Sequence, residues 1–265
     1  MRALLYVDPS PRGEWALQLA FLLPDSLVSS WTLLATSEDA AADSHLLARA
    51  QARVSGRGIA MEEKTAAGPA ERAVAAEAES GAYGLVLVPP AGRNALQRLL
   101  KGSRVATVVR SVKADVLVAR RPPARIDRVL AALSGGPFTR TVARTAIEVG
   151  RALGAETRFL HVVSEVVLPF GGHGAREDVP DAREAARDPE RRVRAALREL
   201  GAEASLATLE GLVVDEVLVE VENGAYPLLV VGARSGGTSS RWGADDLAAR
   251  ILLHCPASVL VVRRG

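Results

Sequence analysis

The sequence predicts an α/β protein of two tandem doubly wound domains, each built on a five-stranded parallel sheet. Three observations point there: an internal repeat, short aliphatic runs that alternate with helical periodicity, and a proline-rich break near the middle. Residues 79–89 read E-S-G-A-Y-G-L-V-L-V-P and residues 222–232 read E-N-G-A-Y-P-L-L-V-V-G, an offset of 143. The same offset relates A-D-V-L-V-A-R (114–120) to A-S-V-L-V-V-R (257–263). Near the front of each half, R-A-L-L-Y-V-D (2–8) matches R-V-L-A-A-L-S (128–134) at an offset of 126, so the second half carries 17 extra residues in between. They are expected in a loop over 166–188, which includes F-G-G-H-G-A (170–175). Self-similarity on this scale marks a duplicated structural unit. R-R-P-P-A-R (120–125) cannot continue a helix or a strand, because proline fixes φ and removes a donor. The expected domains are therefore 1–121 and 126–265.

In the first half, strands are expected at 2–7, 30–36, 58–64, 84–88 and 115–119, with helices at 11–23, 39–55, 69–81 and 102–111. In the second, strands are expected at 128–133, 156–163, 203–209, 227–231 and 258–262, with helices at 139–153, 180–200, 211–223 and 244–254. Leu85–Val88 and Leu228–Val231 are aliphatic without alternation, as strands buried on both faces in parallel sheets are. Strand-helix-strand alternation then gives an open sheet with right-handed crossovers. L-V-V-D-E-V-L-V-E-V (212–221) is β-branched-rich, but its place after a strand in the repeat argues for a helix. The stretch 176–199 holds seven arginines against seven acids and reads as a solvated helix with intrahelical pairs. The last strand of each half would be an aliphatic edge, an aggregation template unless covered. Two equivalent edges can cover each other, so the halves are expected to pack through these strands as an intrachain pseudo-dimer. Two such chains could also associate as a homodimer.

Composition excludes several function classes. Hydrophobic residues make up 48% and charged residues 24%, the balance of a globular protein. Aromatics are only 4%, so the cores must be aliphatic, and the scarcity weakens a nucleic-acid reading built on stacking platforms. With 33 basic and 31 acidic residues the net charge is +2, too little for a field that gathers nucleic acid or anionic lipid. The single cysteine, Cys255, excludes an intramolecular disulfide and a Cys-pair metal site, and is expected as a small core residue. No run approaches 18 apolar residues, and Met1 to Asp8 is too short an apolar start for a signal peptide. The expectation is a cytoplasmic protein with no membrane or nucleic-acid partner.

Ligands in doubly wound sheets sit outside the carboxyl ends of strands, where strand order reverses. The loops that start at Asp8, Pro89, Ser134 and Gly232 are therefore the candidate sites. After the fourth strand the first half reads Pro89-Pro-Ala-Gly92-Arg93, then Gly102-Ser103 at a helix start. Glycine lets a backbone approach a phosphate, and the free N–H groups of a helix start favour anions. Ser103 can cap that helix or donate to a phosphate, while Arg93, Arg98 and Lys101 add positive charge.

These residues resemble a tandem member of the universal stress protein family, a Rossmann-like α/β family with the phosphate motif G-x2-G-x9-G-[ST]. The first-half loop matches as Pro89-x2-Gly92-x9-Gly102-Ser103, with only the first glycine replaced. The family's acidic residue at the end of the first strand is matched by Asp8, and G-A-E-T-R-F-L-H-V-V (154–163) is similar to its second strand. The resemblance implies stress-response regulation and one adenine nucleotide, ATP or AMP with or without Mg²⁺, held by Asp8, Pro9, Ser10, Gly92, Arg93, Gly102 and Ser103. The second half departs from the pattern: its loop aligns as Gly232-x2-Ser235-x9-Asp245-Asp246, and its first strand ends in Ser134. Asp caps a helix start well, but it occupies the groups that a phosphate needs. Like charges at about 4 Å cost about 4 kcal/mol at an effective dielectric of 20, so this site is expected to be lost.

S-G-G-P-F-T (134–139) resembles the S-G-G-x-D-S pyrophosphate loop of ATP pyrophosphatases, with Phe138 in place of the acid. The plainer reading is a tight turn that opens a helix with Thr139 as N-cap. His161 is expected in the core, His173 in an exposed glycine-rich loop, and none of the four histidines has metal-ligand spacing. No catalytic constellation with supporting context is visible. Three functions remain: a nucleotide-binding regulatory module, a scaffold of the same fold without ligand, and, ranked last, a weak ATPase or adenylate-forming enzyme built on Ser134–Thr139.

Overall fold

The computed structural model describes residues 1–36, 47–52, 59–90, 108, 111–120, 122–164, 180–233 and 247–263. Within them one sheet contains β1 (Arg2–Val7), β2 (Ser30–Thr36), β3 (Ala60–Ala66), β4 (Leu85–Val88), β5 (Asp115–Val118), β6 (Arg128–Ala132), β7 (Glu156–Ser164), β8 (Leu206–Gly211), β9 (Leu228–Gly232) and β10 (Ser258–Val262). The order is β3-β2-β1-β4-β5-β10-β9-β6-β7-β8. Each half is parallel throughout and reverses between its first and fourth strands, β1 and β4 or β6 and β9.

The helices are α1 (Gly13–Leu22), α2 (Ala70–Ser80), α3 (Thr139–Leu153), α4 (Pro180–Glu199), α5 (Val213–Asn223) and α6 (Leu247–His254), with a further helical stretch at 47–52. They cover both faces, because strand side chains alternate. Ala3, Leu5 and Val7 of β1 join α1, the 47–52 stretch, α3 and α4 in one core. Leu4 and Tyr6 join α2, α5 and α6 in the other. Residues 213–221 are helical as the repeat requires, with Val214, Val217 and Val221 buried.

The edge strands depart slightly from expectation. β3 lies two residues later than predicted, because A-M-E-E-K-T-A has no hydrophobic pattern and takes its register from β2, Ser30 opposite Ala60. β8 also starts later, since Glu203–Ser205 first make a 3-10 turn. The registers locate the extra residues too. Leu33 and Phe159 are equivalent at offset 126, and their neighbours Glu63 and Leu206 at 143. The additional 17 residues therefore lie between β7 and β8, where α4 has 20 residues.

β5 and β10 pair antiparallel, Val116 with Val261, Leu117 with Leu260 and Val118 with Val259. The 143 offset maps this pairing onto itself. It also maps Arg120 N–H to Ser258 Oγ (3.0 Å) onto Arg263 N–H to Asp115 Oδ1 (2.8 Å). Arg120 further donates to the carbonyls of Cys255 (3.1 Å) and Leu252 at the end of α6. Two aliphatic edges thus become interior strands.

The best-preserved block of the repeat has a structural cause. The Arg2 guanidinium lies 4.7 Å from the Tyr83 ring centroid, and Arg128 lies 4.4 Å from that of Tyr226. A Cβ on Gly81 would come within 2.2 Å of the Tyr83 ring, and one on Gly224 within 2.1 Å of Tyr226. The duplicated G-A-Y therefore lays a tyrosine over a bare backbone and under an arginine, at the amino ends of the strands and away from their carboxyl mouths.

Candidate functional site

The first-half mouth lies where β1 and β4 run side by side, Ala3 to Leu5 opposite Leu85 to Leu87. β1 ends at Val7, so the next residue, Asp8, is delivered to that reversal point. Asp8 Oδ1 accepts the Ser10 N–H at 2.7 Å. Ser10 in turn accepts the Gly13 N–H on its carbonyl (2.9 Å) and its hydroxyl (3.3 Å). The chain can turn this sharply because position 13 has no side chain: a Cβ there would lie 1.9 Å from the Asp8 carbonyl oxygen. Pro9 and Ser10 are exposed, and Asp8 is half-buried. Asp8 Oδ2 has no partner among the described residues. Across the mouth β4 leads into Pro89, which is buried, and the Val88 carbonyl is taken by the Ala119 N–H at 2.9 Å. Gly92, Arg93, Arg98, Lys101, Gly102 and Ser103 lie outside the described residues.

The second-half mouth differs. Ser134 lies two residues beyond the end of β6 at Ala132, and its Oγ accepts the Gly136 N–H at 3.3 Å. Gly135 has φ +72, and a Cβ there would lie 2.4 Å from the Pro189 carbonyl oxygen of α4. Arg192 of α4 donates to the Gly135 carbonyl at 2.7 Å and pairs with Asp188 at 2.6 Å. The longer crossover therefore lays α4 directly on the S-G-G loop. On the other side, a Cβ on Gly232 would lie 3.0 Å from Val142 Cγ2. Ser235, Asp245 and Asp246 lie outside the described residues.

Thr139 does not cap α3, which corrects the expectation. It is already the first helical residue: its N–H closes a turn on the Gly136 carbonyl (3.1 Å) while its hydroxyl is turned inward. Thr139 Oγ1 is buried without a partner among the described residues. His161 is a core residue, 3% exposed. Its Nδ1–H donates to the Leu133 carbonyl at 2.8 Å, because a carbonyl can only accept, and its Nε2 has no partner among the described residues. Cys255 is also in the core, and burial pushes its thiol up to about 11. His173 lies outside the described residues.

Sequence reasoning missed Gly13 and the α4 contacts. Gly13 carried one signal: it stands at offset 126 from Thr139, so the two copies could not share one turn. The described residues contain no group of three metal-ligating side chains, and no described helix is long and apolar enough to cross a membrane.

The model of the universal stress protein family matches the chain twice, over residues 2–120 and 125–263. A search of curated proteins finds no match. Among solved structures, a universal stress protein of Archaeoglobus fulgidus DSM 4304 is 17% identical with a TM-score of 0.73, covering 100% of this chain and 96% of its own. A Pseudomonas aeruginosa UCBPP-PA14 protein described as a universal stress protein is 16% identical with a TM-score of 0.75, covering 98% and 92%. A family protein of Arabidopsis thaliana with AMP bound is 19% identical over 52% of this chain and 92% of its own, with a TM-score of 0.33. Two copies of the family unit account for nearly the whole length, and the chain belongs to the universal stress protein family.

Proposed function

We propose that this chain is a cytoplasmic stress-response module, not an enzyme, that holds one adenine nucleotide in its N-terminal half. Its halves, divided at 121–126, act as an intrachain pseudo-dimer through β5 and β10. The supporting observation is the place of Asp8 at the β1–β4 reversal, with one carboxylate oxygen fixed by the Ser10 N–H and the other left for a ribose hydroxyl or a base amine. Asp8, Pro9 and Ser10 form the nucleoside side. Gly92, Arg93, Gly102 and Ser103, which lie outside the described residues, are assigned the phosphate side on the sequence motif, since glycines followed by a helix start suit an anion. Mg²⁺ enters, if at all, with the triphosphate. The second half takes no nucleotide, because α4 lies on the Gly135 loop where the ligand would approach. The same contact speaks against the S-G-G loop as a pyrophosphate site.

A ligand-free scaffold is the competing reading, favoured by the Asp8–Ser10 turn, which gives Asp8 a structural job of its own. Calorimetry with ATP or AMP, with and without Mg²⁺, separates the two. The expected result is about one site per chain, lost in Gly102→Trp and weakened at least tenfold in Asp8→Ala. No heat in the intact chain would establish the scaffold.

A further inference from the structure

On the α2 face of the first half, a groove of about 590 Å³ opens between α2 and the β2–β3 edge. Pockets of about 300–1,000 Å³ hold small molecules. Leu34, Ala66, Ala73 and Ala76 give it an apolar floor, and Lys64 and Arg72 give it cations. Lys64 is held by Glu77 at 2.8 Å and Glu62 at 3.4 Å. Arg72 is exposed and has no partner among the described residues.

The duplicated half serves as an internal comparison. The offset of 143 maps α2 onto α5, residue for residue, and β3 onto β8. At the equivalent positions Lys64 becomes Ala207, Ala66 becomes Leu209, Arg72 becomes Asp215 and Ala73 becomes Glu216. Both cations are gone there, and the small floor residues have grown. Glu216 also folds over the turn before its helix: a Cβ on Gly211 would lie 2.7 Å from Glu216 Oε1. At the matching Gly68 of the first half, a Cβ would meet nothing within 4 Å. One copy thus lays its own carboxylate over the turn that leads into the helix, and the other leaves the matching turn open, four residues before Arg72.

We propose that this N-terminal groove is a second ligand site, for a small carboxylate with an apolar body. Its carboxylate takes the place that Glu216 occupies in the other copy and pairs with Arg72, while its hydrocarbon lies on the alanines and Leu34. A guanidinium suits this role, since its planar fork matches a carboxylate. The site is argued separately from the nucleotide reading, because none of its residues is among those assigned to the nucleotide.

The test is a titration of the full-length protein, followed by amide NMR, with hexanoate, with 1-hexanol as its uncharged counterpart, and with inorganic phosphate. Hexanoate is expected to shift the amides of residues 64–73 saturably, and hexanol and phosphate far less. Arg72→Ala, at an exposed position, should weaken hexanoate at least tenfold. Ala73→Glu, which copies the filled half, should abolish binding while the amide spectrum stays folded. Equal binding by hexanol or phosphate, unchanged affinity in Arg72→Ala, or no saturable shift up to about 10 mM would overturn the proposal. ATP or AMP titrated alongside reports on the mouth, so failure at one site is visible separately from failure at the other.

Discussion

Replacing Gly13 with alanine should loosen the first-half mouth from within. The built Cβ lies 1.9 Å from the Asp8 carbonyl oxygen and 2.7 Å from its carbon, while real contacts stop near 3.0 Å. The start of α1 must therefore retreat from the end of β1 by about 1 Å, an overpacking that typically costs about 1–3 kcal/mol. The retreat also stretches the Gly13 N–H bonds to Ser10 O and Oγ, worth about 1 kcal/mol together. Alanine returns up to about 1 kcal/mol through its better helix propensity. The net expectation is a loss of about 1–3 kcal/mol. Urea unfolding at constant slope measures it, as a midpoint lowered by about 0.5–1.5 M. Nucleotide affinity should fall together with it, because Asp8 is carried along. A variant as stable as the parent would refute the close approach, and a less stable variant with unchanged nucleotide affinity would detach Asp8 from the site.

Arg120→Ala should cost about 2–4 kcal/mol in the same assay, since it leaves the Cys255 and Leu252 carbonyls without their donor. A change under about 0.5 kcal/mol would show that this arginine does not tie the halves together. Cys255 should react with a disulfide reagent at pH 8 about a hundredfold more slowly than an ordinary thiol, because its raised value leaves so little thiolate. Labelling of the folded chain at the rate of the unfolded chain would contradict its burial. At Glu77, burial pushes the carboxyl up, but the hydrogen bonds from Lys64 and Tyr83 outweigh it and hold the group below its usual range. A lowered carboxyl stabilises the fold above its unfolded value, and that contribution is lost as pH falls through the lower one. Glu77→Gln should therefore be less stable at pH 7, and its deficit should shrink between about pH 5 and pH 3. A deficit that stays constant with pH would show that the charge plays no part.

The elements were most legible where periodicity and duplication agreed. The central strands β1, β4, β6 and β9 are aliphatic and sit near their expected positions, because burial on both faces leaves only one residue class. The halves meet through β5 and β10, which followed from the need to cover two identical edges. The edge strands were less legible: β3 is exposed, charged and registered only by its neighbour. At the site, Asp8 was visible from its place after β1, but the clearance at Gly13 was not, since it depends on how close a helix comes to a strand. The G-A-Y block shows the converse limit: the strongest repeat in the sequence packs a tyrosine under an arginine and touches neither mouth.

Native mass spectrometry of the full-length chain with ATP and Mg²⁺, repeated with AMP, measures the stoichiometry directly. The account predicts a single bound adenine nucleotide per chain, retained when α4 is altered at Arg192 and lost when Gly102 is made bulky. Two nucleotides per intact chain, or none with either ATP or AMP in the intact chain, would contradict it.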